Sequence, residues 1–240
     1  MPKYEIHLAI ADKIYFLLGN DIIKNPALFF CGNLAPDAYE SGNNNGIFNK
    51  KHTHMCDDEV VHSYGYGYPK VAEQFRYRIN EFIKNYYMKS GKDKDLYLGY
   101  IVHLLTDEIY RINVYQLLEK YLKNGEINSN EIDFRKNLAD KVAKDEYKDI
   151  FNELSGMFKI SINDYPFEQN LFEIFDRTWD CEIKDFINFN EINAFNNSVL
   201  CSLKNEWKQE KIYKSNKSIE FVDIVAKEII DRIFYKYGIF

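Results

Sequence analysis

The chain has 240 residues, 46% of them hydrophobic and 16% aromatic, enough to bury a full core in one domain or in two intimate halves. Its 5 prolines and 11 glycines argue against an all-β sandwich or a disordered chain. A net charge of -6 leaves no basic footprint, so stable nucleic acid binding is not expected, although a metal centre can draw in a phosphate against that balance.

Glu5 and His7 stand where a signal peptide needs its apolar stretch, and no small-residue cleavage site follows. No run of 18 apolar residues occurs, so no transmembrane segment is expected, and the chain reads as cytoplasmic. Cys31, Cys56, Cys181 and Cys201 form no C-x-x-C pair. Such spacing fits buried thiols in a reducing compartment better than a disulfide framework.

Residues 4–18 read as an amphipathic helix, with Ile6, His7, Ile10, Ile14 and Leu17 on one face and Gly19-Asn20 closing it. His7 therefore points inward. Asn25-Pro26 reads as the N-cap and first position of a short helix through Cys31, stopped by Gly32. The turn Gly32-Asn33-Leu34-Ala35-Pro36-Asp37 sets Asp37 directly after a proline, and an Asp there is most often turn chemistry. Residues 41–51 read as a surface loop.

The next segment holds His52, His54, Cys56, Asp57, Asp58, Glu59 and His62, before Gly65, Gly67 and Pro69 break the chain. Val71, Phe75, Ile79, Phe82 and Tyr86 predict a helix ending near Ser90-Gly91. The central helix follows from about Lys94 to Lys123, with Leu96, Tyr100, Ile101, Leu104, Leu105, Ile109 and Ile112 at helical spacing. His103 and Asp107 lie four apart, one turn above the other on one face. Gly99 lies one turn earlier on the same stripe. A glycine inside a helix costs about 0.5–1 kcal/mol relative to alanine, so it suggests a close approach to this face. Taken alone, the His103/Asp107 pair reads as a hydrogen-bonded core pair or as part of a metal site, and the first is the commoner arrangement.

Residues 130–144, 151–158, 171–186, 191–207 and 218–235 all favour helix over strand. There is no internal repeat and no Gly/Ser linker. The expectation is an all-α chain forming a single compact helical domain over residues 1–240, with the remainder after residue 126 helical.

All 5 histidines fall between residues 7 and 103. Histidine is the commonest metal ligand, and carboxylates complete sites for zinc and other divalent ions. His7, Asp37, His54 and the His103/Asp107 pair come from a helix, a turn, a loop and the central helix. Such dispersal suits a site assembled by tertiary folding rather than a zinc finger. A His-rich loop at 52–62 is otherwise most often solvated surface, and Asp57-Asp58-Glu59 a charged face.

The order of these residues is a His near the start, then G-N-x-A-P-D, then Thr-His before a large apolar residue, then L-G-Y-x-x-H-L-x-T-D. In this it resembles the zinc-dependent phospholipase C family, which shares its fold and metal chemistry with the S1/P1 nucleases. The chain looks most like the short intracellular bacterial members. The motifs cover residues 4–115, and the rest is similar in helical character only. The resemblance implies an all-helical fold of the phospholipase C/P1 nuclease type that carries zinc and hydrolyses phosphodiester bonds. Carried over, His7 and Asp107 would help hold one metal. Asp37, His54, His103 and the same Asp107 would hold another, so Asp107 would bridge the two.

The chain departs from the family in three places. Secreted relatives ligate zinc through the amine of a mature N-terminal tryptophan, whereas this sequence starts Met1-Pro2. No histidine follows His103, so the set that holds a third metal is absent. No β-rich C-terminal segment of the membrane-docking kind is present. Two zinc ions at most (or another divalent metal) and a small phosphodiester or phospholipid-derived substrate, rather than an intact bilayer, are the expectation.

Two divalent cations about 3.5–4 Å apart lower the pKa of a shared water towards ~7. Asp37 and Asp107 are the expected catalytic carboxylates, Asp37 as ligand, as orienter of the nucleophile, or both. Arg111, one turn after Asp107, can reach a substrate phosphate, or can simply pair with Asp107 or Glu108. Tyr100 and Tyr110 can line the pocket. Two alternatives stand beside a phospholipase C-like hydrolase: a nuclease of the same mechanistic type, and a non-catalytic metal-binding helical protein. If Thr53 caps a helix running through Val61, only one of His52 and His54 can face the site. The resemblance favours His54.

Overall fold

The computed structural model describes residues 4–39, 50–55, 69–123, 165, 167, 171–175, 181–206 and 216–239. The order is α1 (Tyr4–Ile22), α2 (Pro26–Leu34), a 3-10 turn (Ala35–Asp37), α3 (Lys50–Thr53) and α4 (Pro69–Asn85). Two 3-10 turns (Tyr87–Lys89 and Gly91–Asp93) then lead into α5 (Lys94–Lys123). After them come α6 (Leu171–Phe175), α7 (Phe189–Glu206) and α8 (Asn216–Asp231), which runs into a π turn (Arg232–Lys236). The protein is all-α: among the described residues the only β pairing is an isolated bridge between Ile183 and Ile187. The expected helices at 130–144 and 151–158 lie outside the described residues.

The molecule is organised by the crossing of α2 and α5. Asn25 caps α2 by accepting from the Leu28 amide at 3.2 Å, and Pro26 occupies the first turn, where its missing N–H costs nothing. The Asn25 amide in turn donates to Asp95 Oδ2 at 2.6 Å, which ties the start of α2 to the start of α5. At the crossing the two backbones touch. A Cβ on Gly99 would lie 2.0 Å from the Phe29 carbonyl oxygen, and a Cβ on Gly32 would lie 1.9 Å from that of Leu96. Gly99 is therefore the close approach its sequence position suggests. Gly32 does not stop α2: the helix continues to Leu34, because Gly32 is needed for contact with α5 rather than for a turn.

Helix α1 extends to Ile22, with a non-helical break at Gly19 (φ 64°), where the sequence places its end. It packs along α8, with Lys13 and Asp223 in an ion pair at 2.7 Å. Residues 171–186 are not one helix. α6 ends at Phe175, and Cys181–Asn188 turn tightly around the Ile183–Ile187 bridge. Ile183 and Ile187 are buried by this turn rather than by a helix face. Apolar residues from both ends of the chain, Ile6 through Ile239, meet in one core. No helix among the described residues is long and apolar enough to cross a membrane.

Candidate metal centre

Four elements bring five polar side chains into the core beside the α2–α5 crossing. His7 comes from the first turns of α1, Asp37 from the 3-10 turn after α2, His54 from the residue after α3, and His103 and Asp107 from α5. The three histidines and Asp107 are buried, at 2% exposure or less. Asp37 retains 17% side-chain exposure and is the group of the five that reaches towards solvent. A histidine and a carboxylate have no reason to sit among Ile and Leu side chains unless something compensates their desolvation.

The geometry is tight. Nε2 of His54 lies 3.3 Å from Asp37 Oδ1, 3.7 Å from Asp107 Oδ2 and 3.4 Å from Nε2 of His103. Nε2 of His7 lies 3.6 Å from the other Asp107 oxygen, Oδ1. The His7 and His103 rings are stacked at 3.8 Å and nearly parallel. Two ligand sets result, His7/His103/Asp107 and Asp37/His54/His103, and the two oxygens of Asp107 face one histidine of each. Tetrahedral coordination with bonds of about 2.0–2.2 Å separates neighbouring ligand atoms by about 3.3–3.6 Å. The observed separations of 3.3 to 3.7 Å match that spacing and are long for hydrogen bonds.

The groups behind the rings fix which nitrogen faces the cluster. Nδ1 of His103 donates to the backbone carbonyl of Asn33 at 2.7 Å. The Thr53 hydroxyl donates its one hydrogen to the Pro36 carbonyl at 2.8 Å, so at 3.0 Å from Nδ1 of His54 it accepts. Both rings thus carry their proton on Nδ1 and turn a bare Nε2 inward, as in metal-bound histidines held by a backbone carbonyl or hydroxyl. Two Nε2 lone pairs facing one another repel. A cation between them removes the repulsion. A proton on one Nε2 serves a single contact, whereas a metal ion serves all of them, so the five residues fit a divalent ion.

Burial, and then the nearby charge of His7, holds the His103 ring neutral down to a pKa of about 3, and burial also lowers that of His7. Both are therefore lone-pair donors at neutral pH. Burial alone would raise the Asp37 carboxyl, but the contact with His54, and then the nearness of His103 and His7, hold the group below the usual carboxylate range. Asp37 is an anion throughout the physiological range.

Thr53 ends α3, and a helix running on through Val61 lies outside the described residues. The chain leaves α3 through Met55 in the left-handed region (φ 55°). That backbone costs about 1 kcal/mol or more in a non-glycine residue and persists only where its surroundings fix it. Here Arg78 Nη1 donates to the Met55 carbonyl at 2.7 Å, Met55 is buried, and the Tyr100 hydroxyl donates to the Thr53 carbonyl. Tyr100 is thus a buried support for the histidine turn rather than a lining of an open pocket. His52 faces away, with Nε2 2.8 Å from the Asp185 carbonyl and its ring stacked on Phe186.

Residues Asp57, Asp58, Glu59, Val60 and His62 lie outside the described residues, as does the side chain of Arg111. Glu108, fully buried, is paired with Arg232 at 2.5 Å and with Arg76 at 3.4 Å. The sequence reading missed these two arginines, which are far from Glu108 in sequence. It also missed the Asn33 and Pro36 carbonyls, since a backbone group carries no residue-type signal. Comparison of the chain with protein-family profiles, with curated proteins and with solved structures finds no match.

Proposed function

We propose that this chain is a metal-dependent phosphodiester hydrolase of the phospholipase C/P1 nuclease type, with a helical domain built around two zinc-class ions. The observation that carries the reading is the pair of bare Nε2 atoms of His54 and His103, 3.4 Å apart, beside an Asp107 whose two oxygens face different histidines. When bound, two such ions supply an acidified water and charge neutralisation on a phosphoryl group. His7 and Asp107 would help hold one ion, and Asp37, His54, His103 and the same Asp107 would hold the other. Asp37, anionic and the most exposed of the five, would orient the attacking water as well as ligate. The Asn33 carbonyl and the Thr53 hydroxyl keep the two rings in the ligating tautomer.

The buried ligands and the absence of a membrane-crossing helix among the described residues favour a small soluble phosphodiester over a bilayer. A cytoplasmic setting of the bacterial, intracellular type suits that substrate. The test is hydrolysis of a soluble aryl phosphodiester by the purified chain, before and after chelation. Activity lost with chelator and restored by zinc is expected, with much weaker action on phosphatidylcholine vesicles. Full metal occupancy without turnover of aryl, nucleotide or lipid phosphodiesters would instead make the protein a non-catalytic metal binder.

A further inference from the structure

Away from the metal cluster, the sulfur atoms of Cys31 and Cys181 lie 3.6 Å apart although the two residues are separated by 150 positions. Cys31 sits inside α2, fully buried, and Cys181 heads the turn that contains the Ile183–Ile187 bridge. Neither is in a disulfide. The amide of Asn196, from α7, donates to the Cys31 sulfur at 3.2 Å. We infer that Cys31 and Cys181 are a reversible dithiol pair that closes to a disulfide when the protein meets a peroxide-class oxidant.

Geometry is the first support. A disulfide needs its sulfurs about 2.05 Å apart, so closure asks for a movement of roughly 1.5 Å. One side of the pair is a rigid helix core. The other is the opening residue of a short turn whose ties are made further on, at Ile183, Lys184, Asp185 and Phe186, so the movement falls on Cys181 ahead of them. The partners of Cys31 are the second support. Its thiol is held protonated by the contact with Cys181 and by burial, while the Asn196 amide is placed to stabilise negative charge on the same sulfur as it forms. Of the pair, Cys181 is the residue nearer solvent, at 8% exposure against 0% for Cys31.

The sequence of steps balances. The Cys181 thiolate attacks one peroxide oxygen, the O–O bond breaks, and the second oxygen leaves as hydroxide that takes up a proton to become water. Cys181 is then a sulfenic acid. The Cys31 sulfur, releasing its proton, attacks the Cys181 sulfur, forms the S–S bond and expels hydroxide, which is protonated to a second water. Two thiols lose two electrons and two protons, and one peroxide gains them. The closed loop contains Asp37, His54, His103 and Asp107, so the cross-link would staple the segment that holds four of the five clustered side chains. The inference does not depend on the metal reading.

The experiment treats the reduced full chain with hydrogen peroxide, quenches, and measures intact mass and non-reduced peptides. A loss of about 2 Da, a peptide linking Cys31 to Cys181, and recovery of both thiols with dithiothreitol are expected. The Cys201→Ser variant, which removes an exposed thiol, should give the same linked peptide. Full alkylation of Cys31 and Cys181 after oxidant treatment, a cross-link through Cys56 or Cys201, or conversion of either thiol to sulfinic acid would overturn the assignment.

Discussion

Nε2 of His54 faces Nε2 of His103 at 3.4 Å, and in each ring the other nitrogen is already committed, to the Thr53 hydroxyl and to the Asn33 carbonyl. A hydrogen-bonded core pair would not be built this way, since it would point a donor at an acceptor. About two divalent ions per chain are therefore expected by element-specific analysis of protein purified without chelator. Asp107→Asn should lower occupancy at both positions, because each oxygen of Asp107 faces a different histidine. A chain that carries no stoichiometric metal and takes up none from added zinc would remove the basis of the proposed function.

Acid should destabilise the metal-free protein earlier than carboxylate titration alone would. The unfolded chain protonates its histidines near pH 6.5, while the folded state keeps the His103 ring neutral down to about 3, and the His7 ring is shifted the same way. Between those values the unfolded state binds more protons, so stability is full above about pH 6.5 and falls as pH drops through that window. Asp37 adds to the loss further down, since its folded pKa lies below the ordinary 3.8. The measurement is Tm against pH after chelation. A Tm that is flat from pH 7 to 4 would show that these rings are not buried as neutral groups.

Gly99→Ala should cost at least about 3 kcal/mol in chemical denaturation, the upper part of the range for overpacking, because the added methyl meets backbone rather than a side chain that can rotate away. It would lie 2.0 Å from the Phe29 oxygen and 2.7 Å from the Asn33 nitrogen. The Asn33 carbonyl holds His103, so metal affinity should fall together with stability.

That glycine also marks how far the sequence could be read. The helical spacing of α5 was legible because its apolar residues recur at helical intervals over several turns. His103 and Asp107 were legible as a pair from their spacing of four. Gly32 was misread as a stop because a glycine at a helix end and one at a helix crossing look alike in one dimension. The helix expected over 171–186 breaks because the apolar side chains from Cys181 on are buried by a tight turn, which apolar content alone does not separate from a helix. The groups that fix the ring tautomers are backbone carbonyls and a threonine, and nothing in residue type announces them.

Arg232→Ala should destabilise the chain by about 3–5 kcal/mol, the penalty for leaving a buried charge without its partner. Glu108 is fully buried on α5, and Arg232 Nη1 meets it at 2.5 Å while Nη2 meets Glu228. Arg76, 3.4 Å away and 40% exposed, is a weaker substitute. Combining the change with Glu108→Gln should recover much of the loss in urea denaturation, because the amide removes the charge left unpaired. No recovery in the double variant would mean that Arg232 acts through packing.

The sharpest separation lies between two histidines only two positions apart. His54 is buried among Asp37, His103 and Asp107, whereas His52 bonds to the Asp185 carbonyl and stacks on Phe186. What divides them is the end of α3 at Thr53 and the left-handed Met55, which turn His54 inward and leave His52 on the outer side. His54→Ala should therefore lower bound zinc by about one ion per chain, since it removes one ligand from a four-coordinate set. His52→Ala should keep its metal and lose only the local tie to the 181–188 turn, a cost of about 1 kcal/mol for one hydrogen bond. Bound zinc per chain for the two variants decides the matter. Loss of zinc in His52→Ala with retention in His54→Ala would place the ligand on the wrong side of Thr53.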